Sequence, residues 1–438
     1  MLHTLKKQDS FFLFDNETLS IYSLDQEQGQ RFLDIGDIEL TKAFQKNKSV
    51  NKKSELVEDN QIASRLVLVI TQSCNLACRY CYAHQGTYGA SHTVPMNLSM
   101  LQLAVKSTLG LYPKGIEKIQ FFGGEPLLNF KLIEEGVCWI EEYFDSLGLQ
   151  MPLFNFVTNG VLFSEYIHRF CNEHRVNVTV SIDGNKEIND YNRPFAVGSG
   201  SSYDAIKKSM EIITNNRKYD LMIEMTISKS NIDQYKKTKH LIDIEHLMEF
   251  RPDVFHIVPV INASSSSKEY LWSEEEYRGV SEYFEEVAEK SISSLFSGNP
   301  LRVMQISNIG SLLASKRSKS LLCTAGIKEI SITSNGDVYP CFAFIGHDEM
   351  KMGNILEDSD LRQSSRYKSI RSRLESNTYS HIEKCQQCWL NGLCANCIGN
   401  SYDVNGSISD PIDVICHAQK AMFERSLCNC GELFGIKE

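Results

Sequence analysis

The 438-residue sequence predicts an α/β fold: a partial (β/α)6 barrel of the TIM type, with a small amino-terminal α+β unit before it and a Cys-rich domain after it. Two observations carry this. Six apolar runs, LVLVIT (66–71), KIQFF (118–122), LFNFVT (153–158), VNVTVSI (176–182), LMIEMTI (221–227) and VFHIVPV (254–260), alternate with helical patterns. Near-continuous apolar strands suit a parallel sheet covered on both faces. Nine of the 14 cysteines then fall after residue 322, among few long periodic segments, so that part is expected to fold around metals.

In chain order, residues 11–25 (FFLFDNETLSIYSLD) read as a β-hairpin turning at Asp15 and Asn16, followed by short helical patterns to about residue 46. The polar stretch 46–61 reads as a linker, so residues 1–60 form the amino-terminal unit. Strand and helix units fill 61–262; between strands, Leu98, Leu101, Val105 and Leu109 share one helix face. Crossovers in such units are right-handed, and six units instead of eight leave a wide mouth. NASSSSK (262–268) reads as a loop, and Ser273 with Glu276 as a capping box opening a helix in a bridging segment, 263–322. Residues 323–438 make the Cys-rich domain.

A net charge of −10 argues against a nucleic-acid partner, which would need clustered Lys and Arg on phosphates. No segment has the apolar length of a signal peptide or a membrane span, so a cytoplasmic protein is expected, without a membrane partner. Thiols stay reduced there, and spaced cysteines are better read as metal ligands or redox groups than as disulfides.

Cys74, Cys78 and Cys81 (CNLACRYC) sit just past the carboxyl end of the first barrel strand, where barrels place their chemistry. Three thiolates in one short loop suit a [4Fe–4S] cluster with one iron open to a ligand; a structural zinc site is the alternative. In GGEP, Gly123 and Gly124 let backbone approach a ligand, and the Glu125 carboxylate can accept from an ammonium group; a plain turn is the alternative. Ser181, Asp183 and Gly184 end the fourth strand and Arg193 follows, so a hydroxyl can reach a ribose and a guanidinium can pair with a carboxylate. Cys138 and Cys171 read as buried small hydrophobes. Taken alone, Cys385 with Cys388 and Cys394 with Cys397 read as a zinc ribbon, which leaves Cys323, Cys341 and Cys416 unused.

CxxxCxYC in this position resembles the signature of the radical S-adenosylmethionine (SAM) superfamily, and the cysteine order from Cys323 to Cys416 resembles a SPASM domain; together they cover about residues 65–420. The resemblance implies a cluster on Cys74, Cys78 and Cys81 whose open iron is chelated by SAM. It implies SAM contacts at Tyr80, Gly123, Gly124, Glu125, Ser181, Asp183 and Arg193. It further implies a distal auxiliary cluster on Cys385, Cys388, Cys394 and Cys416 and a nearer one on Cys323, Cys341 and Cys397, for three [4Fe–4S] clusters in all. Two departures stand out. Only Ala395 and Asn396 separate Cys394 from Cys397, where the family usually has three residues. SKRSKSLL (315–322) lacks a cysteine found in some relatives, which leaves the nearer cluster an open iron unless Cys428 or Cys430 fills it.

By the same resemblance, the protein is an oxidoreductase that cleaves SAM with an electron from a flavodoxin- or ferredoxin-type donor and uses the resulting radical on a peptide. Sulfatase-maturing relatives carry Asp after the YPC cysteine; here that position is Phe342, so formylglycine formation is not expected. SNGDVYPCFAFIGHDEMKMGNI and CQQCWLNGLC are similar to SCIFF-type maturases, which build thioethers in Cys-rich ribosomal peptides. In that group the amino-terminal unit resembles a module where a leader peptide adds a strand to a sheet edge, which the hairpin at 11–25 could offer; a structural cap for the barrel is the alternative. The expected function is a Cys-sulfur-to-carbon crosslink in a precursor peptide. The alternatives are carbon–carbon crosslinking or epimerisation of a peptide, and a noncatalytic iron–sulfur protein that binds peptides or carries electrons.

Overall fold

The computed structural model describes residues 1–45, 54–55, 61–261, 268–295 and 297–434. Most of the expected linker at 46–61 and of the loop at 262–268 lies outside the described residues.

The chain opens with an antiparallel sheet of β1 (Leu2–Lys7), β2 (Ser10–Asp15) and β3 (Ser20–Leu24), in that order. The expected hairpin is β2–β3, and β1 is an additional strand. Phe11 to Phe14 are all buried, so β2 is covered on both sides. A Cβ on Gly29 would meet the Phe11 ring at 2.2 Å, and one on Gly431 would meet Phe12 at 2.6 Å. The helix Gln26–Ile35 thus packs on one side and the carboxyl-terminal helix Asp413–Phe434 on the other.

The main sheet holds the six expected strands: β4 (Arg65–Thr71), β5 (Lys118–Gly123), β6 (Leu153–Thr158), β7 (Asn177–Ser181), β8 (Leu221–Ile227) and β9 (Val254–Pro259), each parallel to its neighbours. Residues after 322 extend this sheet. Strand β10 (Glu329–Thr333) pairs in parallel with β4, and β11 (Asp337–Tyr339) and β12 (Gly353–Asn354) follow in antiparallel, giving the order β9-β8-β7-β6-β5-β4-β10-β11-β12. Ser273 and Glu276 form the expected capping box at the start of the helix Glu274–Ser293.

The pleat sorts the strands' side chains. Register partners share a face, and one face carries Leu66, Leu68, Phe121, Phe156, Val180 and Ile223, all buried and apolar. The other face carries Arg65, Gln120, Asn155, Thr179, Glu224, His256 and Glu329. The apolar face lies under the helices; the polar face lines the barrel interior. No helix among the described residues is long and apolar enough to cross a membrane.

Candidate cofactor and substrate site

The loop bearing Cys74, Cys78 and Cys81 is held from two sides. On one side Gly124 N donates to Thr71 O (3.0 Å) and Glu125 N to Ser73 O (2.8 Å). A Cβ on Gly123 would stand 2.0 Å from Thr71 O, and one on Gly124 2.3 Å from Ser73 O. Both glycines therefore serve the approach of one loop to another, where the sequence suggested the approach of backbone to a ligand. On the other side, Ala77 N donates to Pro194 O (2.8 Å), Arg79 N to Asn192 O (2.9 Å) and Ala196 N to Asn75 O (3.0 Å). This zipper sets Arg193 beside Cys78.

Glu125 is fully buried, and its carboxylate accepts from Thr158 Oγ1 (2.7 Å), Asn159 N (2.7 Å) and Leu127 N (3.0 Å). Burial nevertheless pushes its carboxyl up to about 7. Two of these bonds go to Oε1 and one to Oε2, so Oε2 keeps room for a further donor such as an ammonium group. The turn of Thr158, Asn159 and Gly160 at the end of β6 also braces the loop: Asn159 Nδ2 donates to Asn75 Oδ1 (2.7 Å) and lies 3.8 Å from Cys74 Sγ.

Asp183, also fully buried, accepts from Arg193 Nη2 (2.9 Å) and Thr226 N (3.2 Å) at one oxygen and from Tyr80 OH (2.5 Å) at the other. The guanidinium lies over the Tyr80 ring, 5.4 Å from its centroid. Arg193 Nε is buried without a hydrogen-bond partner. A buried cation with an unused donor fits a carboxylate-bearing ligand. Ser181 is partly exposed at the end of β7.

Burial pushes the Cys74 thiol up to about 11 and the Cys78 thiol up to about 12, the latter against the pull of Arg193. Cys74 Sγ accepts from Leu76 N (3.4 Å) and Cys81 Sγ from Gln85 N (3.3 Å). A cavity of about 400 Å³ lies against Cys78 and Cys81. Buried thiols become ligands when a cationic centre stabilises the thiolate, so this donor set fits an iron–sulfur cluster with an open corner. Among the described residues no group of three or more His, Cys, Asp or Glu side chains closes around the position of a single ion.

The later cysteines sort into two groups. The Cys394 thiol is raised by burial and by neighbouring Cys416, Cys388 and Cys385; that of Cys341 is raised by burial and by Cys397, Glu329 and Cys323. The two-residue gap between Cys394 and Cys397 separates the groups, because Cys397 N-caps the helix Ile398–Asn405, its Sγ 3.5 Å from Asn400 N. Cys428 does not join the three-thiol group. It is buried on the carboxyl-terminal helix, raised to about 12 by burial and with Glu424, Arg425 and Lys7 as its charged neighbours. Cys430, two residues along the same helix, has its thiol raised by burial. Cys171 is buried as expected; Cys138 is exposed, on the outer surface of the helix Phe130–Leu147.

Further polar and aromatic residues border these groups. Glu329 accepts from Arg65 Nη2 (2.6 Å) and Nε (2.8 Å) through Oε2, while Oε1 lies 4.0 Å from Cys323 Sγ. Glu224 and His256 meet on the polar face, Oε1 to Nδ1, at 3.2 Å. Each is the charged or titratable residue inside an otherwise apolar strand, a signal visible in LMIEMTI and VFHIVPV. Phe342 packs on Phe122, with ring centroids 4.5 Å apart.

Two family models match the chain: the radical SAM superfamily over residues 68–242 and the SPASM iron–sulfur cluster-binding domain over 323–389. An uncharacterized protein of Methanocaldococcus jannaschii is 37% identical over 142 residues, 32% of this chain and 46% of its own, so the chain spans about half the length of that relative. A cysteine-type anaerobic sulfatase-maturating enzyme of Clostridium novyi is 25% identical over 374 residues, 83% of this chain and 95% of its own. Among solved structures, native anSMEcpe with bound AdoMet and Cp18Cys peptide aligns with a TM-score of 0.68 at 19% identity, covering 85% of this chain and 99% of that one. Streptococcus suis SuiB bound to precursor peptide SuiA aligns with a TM-score of 0.54 at 16% identity, covering 94% and 100%. The chain has the radical SAM α/β fold, a partial barrel of parallel strands, with a carboxyl-terminal SPASM domain.

Proposed function

We propose that this radical SAM, SPASM-domain protein is a peptide maturase that joins a cysteine sulfur to a carbon of a ribosomally made precursor peptide. The observation that carries the reading is the three-thiol group Cys323, Cys341 and Cys397, which among the described residues has Glu329 and Arg65 but no fourth thiol among its named charged neighbours and borders the polar barrel face. A cluster held there with an open iron gives a substrate thiolate a place to bind. Relatives support a peptide substrate: one is named a cysteine-type sulfatase-maturating enzyme, and SuiB is described bound to its precursor peptide.

In this reading Cys74, Cys78 and Cys81 hold the SAM-binding cluster, Cys385, Cys388, Cys394 and Cys416 the distal one, and the total is three [4Fe–4S] clusters. When bound, the cluster and SAM would supply radical chemistry able to abstract a hydrogen atom from a substrate C–H bond. Arg193 takes the SAM carboxylate, with Asp183 and Tyr80 fixing its guanidinium; Ser181 takes the ribose, and the stretch Gly123 to Glu125 takes the amino group. Phe342, apolar and packed on Phe122, offers no base after Cys341. The edge of β3 receives the leader peptide as an added strand, and a flavodoxin- or ferredoxin-type protein of the cytoplasm delivers the electron.

The test is anaerobic co-incubation with a small Cys-rich peptide encoded beside the gene, SAM and a reductant. Loss of two hydrogens per crosslink, with one thiol no longer alkylatable, is expected. An unchanged mass with deuterium uptake at Cα identifies an epimerase instead, and absence of 5′-deoxyadenosine shows a noncatalytic protein.

A further inference from the structure

The polar barrel face carries a pair for which the fold itself has no use. Glu224 stands in register with Ser181 on β7 and with His256 on β9. His256 Nδ1 and Glu224 Oε1 are 3.2 Å apart, and among the described residues neither side chain makes another hydrogen bond. Both keep about a third of their side-chain surface open, 28% for His256 and 32% for Glu224. Placing two ionisable groups inside apolar strands costs desolvation without adding a structural bond beyond their own.

Nearer the amino ends of the strands, the same face carries two further polar atoms without partners among the described residues. Asn155 Oδ1 and Ser331 Oγ are buried and have no hydrogen-bond partner. Both lie on the pleat's polar side, since Asn155 is in register with Gln120 and Ser331 with Val67. Orphaned acceptors of this kind suit the N–H groups of a peptide backbone. The charges facing Glu224 are those of Arg193 and Arg65, which with His256 hold its carboxyl below the usual range although burial acts the other way. An ionised Glu224 bonded to Nδ1 keeps the proton there and leaves Nε2 as the basic nitrogen.

We propose that His256, oriented by Glu224, accepts the thiol proton of the substrate cysteine inside the barrel. The inference rests on the thioether reading, in which the sulfur must lose a proton and Phe342 supplies no base. The S–H bond breaks, the sulfur keeps the electron pair as a thiolate, and the proton passes to Nε2. The resulting imidazolium is balanced by the Glu224 carboxylate. No oxidant is needed for this step.

The test uses the full chain, reconstituted anaerobically, with the Cys-rich peptide encoded beside the gene as probe. His256→Gln removes the base with little loss of volume, and His256→Ala makes room for added imidazole. Iron content and thermal unfolding establish that each variant is intact. Crosslinking is expected to fall about 100-fold or more in both variants, the usual range for losing a general base. Imidazole should restore it at least tenfold in His256→Ala and leave His256→Gln unchanged. Glu224→Gln should fall less, without imidazole rescue. Crosslinking at the unmodified rate in an intact His256→Gln, or a loss in His256→Ala that imidazole does not relieve, overturns the proposal while leaving the thioether reading in place. If the unmodified protein alters the peptide but leaves every thiol alkylatable, the thioether reading fails and the proton-acceptor role fails with it.

Discussion

Arg65 and Glu329 are 264 residues apart in sequence yet form a side-on ion pair in which one carboxylate oxygen takes both guanidinium bonds, leaving the other turned toward Cys323. The pair joins β4 to β10 and borders the three-thiol group. Arg65→Met should leave Glu329 unpaired among the sulfurs, lowering stability by about 2 kcal/mol, less than a fully buried pair because Arg65 keeps 30% of its side chain exposed. Iron bound per chain should fall in parallel. Urea unfolding and iron analysis on the purified variant measure both.

Asp183→Asn should be more damaging. Its carboxylate neutralises a buried guanidinium and also accepts from Tyr80. An amide in its place leaves a buried charge unpaired, at a cost of about 3–5 kcal/mol. SAM binding, read by equilibrium dialysis, should weaken at least tenfold, because Arg193 is then free to turn away from the position beside Cys78. Unaltered affinity would show that Arg193 does not hold the SAM carboxylate.

Glu125 predicts a pH dependence. Its carboxyl sits at about 7 in the folded protein, above the ordinary value of 4.5. A raised acid contributes stability that is complete below pH 4.5 and is lost as pH rises through 7. Glu125→Gln cannot titrate, and its NH2 group would face the N–H of Asn159, so at pH 5 the variant should be the less stable protein. That deficit should shrink by pH 8. Urea midpoints of both proteins across pH 5–8 give the comparison; parallel curves would contradict it.

Strand β3 pairs only with β2 among the described residues, so its other edge is available. Alternate residues of an edge strand point their N–H outward, and proline removes that donor. Of Ile21→Pro and Tyr22→Pro, one should lower leader-peptide affinity about tenfold, measured by fluorescence anisotropy. SAM cleavage without peptide should stay as it was.

The six barrel strands were legible because strands covered on both sides read as apolar runs. Strand β10 was not: EISIT is short, its partner lies far back in the chain, and SNGDVYPC drew attention to the turn and the cysteine after it. Glu224 and His256 were absorbed into the apolar runs that contain them, since a run of seven residues hides one charged position on its inner face. Spacing alone reads the later cysteines as a zinc ribbon, and only the resemblance divides them in two; in the structure Cys416, Cys388 and Cys385 neighbour Cys394, while Cys397 and Cys323 neighbour Cys341. What spacing could not reveal is that Gly123 and Gly124 press on Thr71 and Ser73, or that Glu125 is held by its own neighbours, because both depend on contacts between loops far apart in sequence.

The pairing of β10 with β4 also bears on how the chain is made. The first strand of the barrel leaves the ribosome long before the residues that cover its flank, and contacts of such high sequence separation form slowly. Until then β4 has a bare edge, the kind that recruits a strand from another chain. A fragment ending at residue 322 would keep that edge open, because the strand that covers it, Glu329–Thr333, comes from the carboxyl-terminal region.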